Sequence, residues 1–415
     1  MIYSWKNYLF IGIIIVALLG FIFQIIELFN LPLIANFYDF KVYYFASSLT
    51  KGGENPYQTS LIKDALTAYG QPLMATRFLY PMTFALFFIP FTFFTLESAA
   101  QIWLIINICF IALCFYFCNI IVKNKNHLCW IAVSLVLMAF FNPLYYTLKL
   151  GQINVVILFL LLLSLFFITK QPEKKIYSLF IGVALGVATL IKIFPVIILF
   201  YLFIKKKYKI VIIAVVTIIF LTTISGLIVG FDQEIQYYFK KLPAVFSSVP
   251  VAPISIPGFI KTAFSKDTTA AQLFSLSRKK IDLLSDILTA LLAIATFLYV
   301  WLLKNKSKLS TILEFSLMIV LTLLISGSVH RHYIIWCLPI IFFCFYYACQ
   351  KKHFVLLTMV IISYFLLNAV ATNLTALEKI KYIGSLLIAP NFWGLGILFM
   401  TLIYFLWREH CCTKS

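Results

Sequence analysis

Residues 36–57 read NFYDFKVYYFASSLTKGGENPY, a polar and aromatic stretch between two long apolar runs. Leu9–Leu31 precedes it and Phe78–Phe94 follows it. A helix rises about 1.5 Å per residue, so an apolar run of roughly 20 residues crosses a bilayer. Leu9–Leu31 is too long for the apolar part of a secretory signal, and no small-residue cleavage pattern follows it. It is therefore expected to remain as the first span. That makes residues 32–76 a loop at the membrane edge, and Asp39 the first carboxylate beyond that edge. Within the loop, Val42–Leu49 suits a short interfacial helix. Gly52-Gly53 and Asn55-Pro56 signal turns, and a second short helix is expected over Tyr57–Ala68.

The alternation of oil and punctuation continues through the chain. Apolar runs lie at Ala99–Val122, Leu128–Phe141, Gln152–Ile168, Leu179–Phe203, Ile210–Val229 and Ile281–Leu303. Leu313–Ile325, Ile334–Cys349, Val355–Ala371 and Phe392–Trp407 complete the set. Of 415 residues, 63% are hydrophobic and only 11% charged, with a mean hydropathy of +1.02. Soluble domains carry about 25% charged residues, so a soluble fold is excluded. A β-barrel would show alternating segments of about 10 residues. The expected fold is an all-α polytopic membrane protein with about 10 to 12 embedded helices in a single integral domain over 1–415.

The net charge of +19 is accounted for by the positive-inside rule and by anionic headgroups, so membrane lipid is expected as a partner and nucleic acid is not. Basic clusters at 205–209, 304–308 and 351–352 place one side in the cytoplasm. The 32–76 loop, the large 231–280 loop and the break SGSVHRHY (326–333) then lie outside. Lys123–His127 and Lys170–Lys175 disagree with a simple crossing count. The disagreement is removed if a half-helix lies near 99–122, or if 179–203 is two half-helices meeting at Lys192–Pro195. The nine cysteines show no disulfide or zinc framework, and those within the runs act as small hydrophobes.

Asp39 is the leading catalytic candidate. A carboxylate among aromatics at an aqueous–lipid boundary is partly desolvated, which raises its pKa and suits a general base. The competing reading is a loop acid paired with Lys41. Arg77, Lys192 and the trio His330, Arg331 and His332 form a second group, because charge at membrane depth faces a cavity or a partner. Cations aimed at one cavity suit a phosphate leaving group. Gln152 and Asn154 open a helix after the break at Gly151, where free N–H groups receive an anion or a sugar hydroxyl; simple capping is the alternative. Tyr38, Tyr43, Tyr44, Tyr57 and Tyr80 are candidates to stack on a sugar or line a lipid groove. No metal or other cofactor is expected, since no acid or cysteine stands at ligand spacing from the histidines.

Five motifs in order carry a family resemblance. Asp39 is followed by Gly52, Gly53, Pro56 and Tyr57. Tyr80-Pro81-Met82 opens the second run in place of a YPP triplet. Gly151, Gln152 and Asn154 form a GQ-x-N break. Gly182 and Gly186 lead into Lys192 and Pro195. His332 and Tyr333 precede Leu338 and Pro339. In this the chain resembles the bacterial membrane glycosyltransferases of family 87, within the GT-C superfamily that uses polyprenyl-phosphate sugars. The resemblance implies a polyprenyl-phosphate sugar donor, mannose-like in the first instance, and a glycolipid or polysaccharide acceptor. It implies inverting transfer at the outer face of the bacterial cytoplasmic membrane, with Asp39 as base and basic residues on the donor phosphate. The rival reading is a transporter or flippase for a lipid-linked or anionic solute. That fold class favours matched broken helices in two halves, and no convincing match is visible.

Overall fold

The structure, a computed structural model, describes residues 5–33, 36–68, 77–122, 127–170, 174–243, 252–265, 275–303, 307–370, 387 and 389–412. Among these every regular element is a helix, as the apolar runs require. Seven helices are long and apolar enough to cross a membrane: Asn7–Asn30, Leu96–Val122, Tyr208–Val229, Arg278–Leu302, Lys308–Ile325, Arg331–Gln350 and Pro390–Cys411. Leu128–Ala139 and Asn142–Leu150 form a further pair bent by 56°. Met82–Phe93, Asn154–Lys170, Lys175–Ile191 and Phe354–Asn368 are shorter apolar helices. The chain is thus a multi-pass membrane protein, and the expected 10 to 12 embedded helices are reached only when the shorter ones are included.

Two boundaries differ from the sequence reading, each for a local reason. The second run is an α-helix over Met82–Phe88 only, then a 3-10 turn over Ile89–Phe93 that contains Pro90. Proline cannot donate to the helical ladder, so the regular α-helix stops before it. Tyr145–Gly151, expected as an irregular break, is mostly helical within Asn142–Leu150. Pro143 sits in the first turn of that helix, where its missing N–H costs nothing. The run 179–203 follows one of the two alternatives the sequence left open: it is two helices, Lys175–Ile191 and Val196–Ile204, with Lys192 extended between them. The basic turns at 123–126 and 171–173 and most of the 373–390 loop lie outside the described residues.

The chain forms two compact units. The first holds residues 1–167, 173–193 and 209–245. In it, helix Trp5–Asn30 packs on His127–Ala139, and Gln24 Nε2 donates to the Ala139 carbonyl at the frayed end of that helix, 2.9 Å away. A helix over Tyr38–Lys51, where the sequence led to the expectation of a short interfacial helix over Val42–Leu49, lies on Met82–Phe88 and the 3-10 turn after it. Phe40, Tyr43, Phe84, Phe88, Phe91 and Trp103 meet edge to face and offset-stacked beneath it. Such pairs contribute about 0.5–1.5 kcal/mol each beyond their buried area. Gly52 and Gly53 close the helix as the turn signal predicts, Gly53 with φ 78°. Helices Lys175–Ile191 and Tyr208–Val229 approach through Gly182 and Gly186, the small-xxx-small spacing that lets backbones close together in lipid.

The second unit holds residues 168–172, 194–208 and 246–415. Helix Lys308–Ile325 is buried along most of its length and packs against Pro390–Cys412. Its Glu314 accepts from Tyr201 and Ser310 and pairs with Lys205 at 3.0 Å. Lys205 Nζ also reaches the carbonyls of Val300 and Leu303. These bonds satisfy the charges within the unit, the condition under which buried ions are tolerated. Asn391 Nδ2 donates to Leu366 and Leu367 and ties Pro390–Cys412 to the end of Phe354–Asn368.

Candidate active site

The site in the first unit is built where three breaks meet. The first is the start of helix Tyr38–Lys51. Phe37 takes a left-handed conformation, φ 56°, and its N–H donates to the Lys149 carbonyl at 2.7 Å. That turn drops Asp39 into the first turn of Tyr38–Lys51, where the partial positive charge of the helix N-terminus favours an acid.

The second break is Gly151. It ends Asn142–Leu150 in the left-handed region, φ 67°, with its own N–H on Leu148 and that of Gln152 on Thr147. This is a Schellman-type stop. It accounts for the Gln152 N–H within the protein, so the proposed anion reception by free N–H groups does not extend to that group. The Gly151 carbonyl accepts from Trp103 Nε1 at 2.8 Å. Gln152 and Asn154 are buried.

The third break is Lys192. The helix stops at Ile191 and the extended backbone turns the lysine into the unit. Its Nζ donates to Asn154 Oδ1 at 2.9 Å and to Gln152 Oε1 at 3.3 Å. Tyr43 OH donates to the same Gln152 oxygen at 3.1 Å and lies 2.8 Å from Tyr80 OH. Lys192 Nζ stands 5.6 Å from the centre of the Tyr80 ring. Burial pushes the Asp39 carboxyl up to about 6, against a hydrogen bond with the Gln152 side chain and the charge of Lys192. Asp39, Gln152, Asn154, Lys192, Tyr43 and Tyr80, scattered over more than 150 residues of sequence, therefore share one nest. Chemically it offers a carboxyl whose pKa burial raises, a buried lysine and amides that accept from it.

The remaining expected residues fall elsewhere. Tyr38 is half-buried, with Lys41 Nζ 4.5 Å from its ring centre. Lys41 also donates to the Leu33 carbonyl at 2.9 Å. Tyr44 is buried and donates to the Phe94 carbonyl. Tyr57 is buried between Phe78 and Tyr237, and its hydroxyl donates to the Tyr80 carbonyl. Arg77 is exposed. Burial, and then the charge of Arg77, lower the Lys241 ammonium. His330, Arg331 and His332 belong to the second unit. There His330 and His332 stack at 5.4 Å, His332 stacks on Tyr333, and Arg331 donates to the Asn368 carbonyl. Among the described residues no three His, Cys, Asp or Glu side chains gather as a metal site.

Sequence reasoning missed the ties between the first loop and residues 231–241. Lys241 Nζ donates to the Tyr57 carbonyl at 3.0 Å, and Asn55 Nδ2 to Gln236 Oε1 at 2.9 Å. Glu234, buried, accepts from Thr83. The acids Asp232 and Glu234 directly after an apolar run were the available signal, but nothing local shows what lies 181 residues away.

No protein of curated function matches the sequence. Two solved structures resemble the chain, both of ArnT from Cupriavidus metallidurans. One, bound to undecaprenyl phosphate, is 11% identical with a TM-score of 0.47, over 97% of this chain and 77% of that one. The other, in the apo state, is 11% identical with a TM-score of 0.38, over 97% and 78%. The family model of glycosyltransferase family 87 matches residues 78–327. That segment includes Tyr80, Gln152, Asn154 and Lys192; Asp39 and the histidines precede and follow it. With more than half of its residues matched, this membrane protein belongs to glycosyltransferase family 87.

Proposed function

We propose that the protein transfers a hexose, mannose-like in the first instance, from a polyprenyl-phosphate donor to a glycolipid or polysaccharide acceptor. Transfer takes place with inversion at the extracytoplasmic face of the bacterial cytoplasmic membrane. Family membership supports the glycosyltransferase over the transporter. The observation that carries the mechanism is the buried Lys192 held by Gln152 and Asn154 beside the helix that bears Asp39, whose Tyr43 shares the same Gln152 oxygen.

In this reading the Asp39 carboxylate takes the proton of the acceptor hydroxyl. The oxygen attacks the anomeric carbon from the face opposite the phosphate, and the carbon–oxygen bond to the phosphate breaks. One displacement with a base on the attacking side inverts the centre. The lipid phosphate leaves as an anion and needs no acid if a cation stabilises its developing charge. Lys192 is that cation. Tyr38 and Tyr80, which keep part of their surface open, are the tyrosines placed to meet a sugar. Arg77, in the same unit, is a further candidate for the donor phosphate.

The test is transfer of labelled sugar from a synthetic polyprenyl-phosphate donor by purified wild type and Asp39→Asn. Loss of transfer in a folded variant supports the base. Full transfer overturns it, and movement of intact donor across liposomes without transfer overturns the enzymatic reading.

A further inference from the structure

Gln152 is 3% exposed and carries an amide whose two ends do different things. Its Oε1 receives Lys192 Nζ at 3.3 Å and Tyr43 OH at 3.1 Å, with Tyr80 OH 3.5 Å away. An ammonium has only donors to give, so the end facing Lys192 must be the oxygen. That fixes the flip of the amide from its network. The NH2 end is thereby turned away from Lys192, on the side chain that the helix of Asp39 meets through Tyr43 and, at Gly151, through Phe40; an ionised Asp39 carboxylate beside it can only accept. Two further restraints hold the side chain where it is. The Gln152 N–H is bound to the Thr147 carbonyl, and the left-handed Gly151 before it has no room for a Cβ, which would stand 2.7 Å from Phe40 Cβ.

We propose that Gln152 is a positioning residue of the transfer, its amide bridging Lys192 to Asp39 so that the ionised carboxylate is aimed at the acceptor hydroxyl. The inference rests on the reading of Asp39 as general base. It assigns Gln152 to orientation of the base rather than to contact with the sugar or the lipid phosphate. Tyr43 pins the carbonyl end from the helix that carries Asp39, so base, amide and cation turn as one body. The titratable groups facing Asp39 in this nest are Lys192, Tyr43 and Tyr80, with Lys41 on its own helix.

The experiment compares Gln152→Glu and Gln152→Met in the full-length protein, with donor and acceptor varied across pH. Gln152→Glu keeps acceptors for Lys192 and Tyr43 but loses the donor to Asp39, and it nearly preserves shape. Gln152→Met removes both ends. The bridge predicts a kcat lower by about tenfold at neutral pH with donor KM within about threefold. It also predicts an acid limb moved to higher pH by at least about half a unit, because the bond that favours the ionised carboxylate is gone. A rise confined to donor KM with the limb unmoved would make Gln152 a donor ligand and overturn the proposal, as would unchanged kinetics in Gln152→Glu. Asp39→Asn is assayed alongside. Full transfer by that variant sinks the base reading itself, whereas its inactivity beside an unmoved limb in Gln152→Glu sinks the bridge alone.

Discussion

At the scale of single residues, Asp39 and Gly151 set the site. Asp39 is raised to about 6 by burial. A raised carboxyl is protonated below that value and ionised above it, so a base of this kind works on the alkaline side. Transfer is expected to fall as pH drops through about 6, and Asp39→Asn to lower it by about 10²-fold or more above that pH, the gap narrowing on the acid side. Rate–pH profiles of both proteins check this; a wild-type profile flat from pH 5 to 8 speaks against the assignment. Gly151 is needed for two independent reasons. Its φ of 67° belongs to the left-handed region, and a Cβ there would press on Phe40. Gly151→Ala is expected to cost about 1–3 kcal/mol and to weaken transfer too, since it displaces the turn that aims Gln152. Thermal unfolding in detergent together with the transfer assay reads both effects.

At the scale of elements, the site depends on helices that stop. Lys175–Ile191 and Asn142–Leu150 both end inside the first unit and hand over their next side chains, Lys192 and Gln152. The first of these helices is held by close backbone approach. A Cβ on Gly186 would stand 2.8 Å from the Ala214 carbonyl oxygen, and one on Gly182 2.6 Å from Ile213 Cβ. Gly186→Val therefore forces Lys175–Ile191 away from Tyr208–Val229. Overpacking of this sort costs about 1–3 kcal/mol. Gly396, with nothing within 4 Å of a Cβ, supplies the control: Gly396→Ala should leave the unfolding temperature unchanged while Gly186→Val lowers it. Equal effects in the two variants would show that the close approach does not matter.

At the scale of the whole molecule, the prediction concerns sidedness. From the basic clusters, residues 205–209 are expected in the cytoplasm and the turn at Gly52-Gly53 outside. In a background cleared of native cysteines, a cysteine at Gly53 is expected to react with an impermeant maleimide in intact cells. One at Lys206 is expected to react only after permeabilisation. The reverse pattern would move Asp39 to the cytoplasmic face and remove the outer-face transfer with it. Family membership, by contrast, does not depend on sidedness, because the matched segment 78–327 is recognised as sequence.

The sequence by itself determined the class, the apolar spans, the helix after the first span and the breaks at Gly151 and Lys192. These are local properties: hydropathy over a window, glycine's tolerance of positive φ, and the stop near Pro195 are all written in neighbouring residues. It also named Asp39, Gln152, Asn154, Lys192, Tyr43 and Tyr80 one by one, since polar groups in oil stand out. Only the tertiary structure decided that these six share one nest, that Lys192 is held by Asn154 and Gln152, and that residues 231–241 are tied to the first loop. It also decided that Tyr57 is packed between rings. Hydrogen bonds and ring contacts between residues 21 to 184 positions apart follow from how the helices pack. Helix packing in a chain that is apolar on nearly every face leaves little periodic trace in sequence.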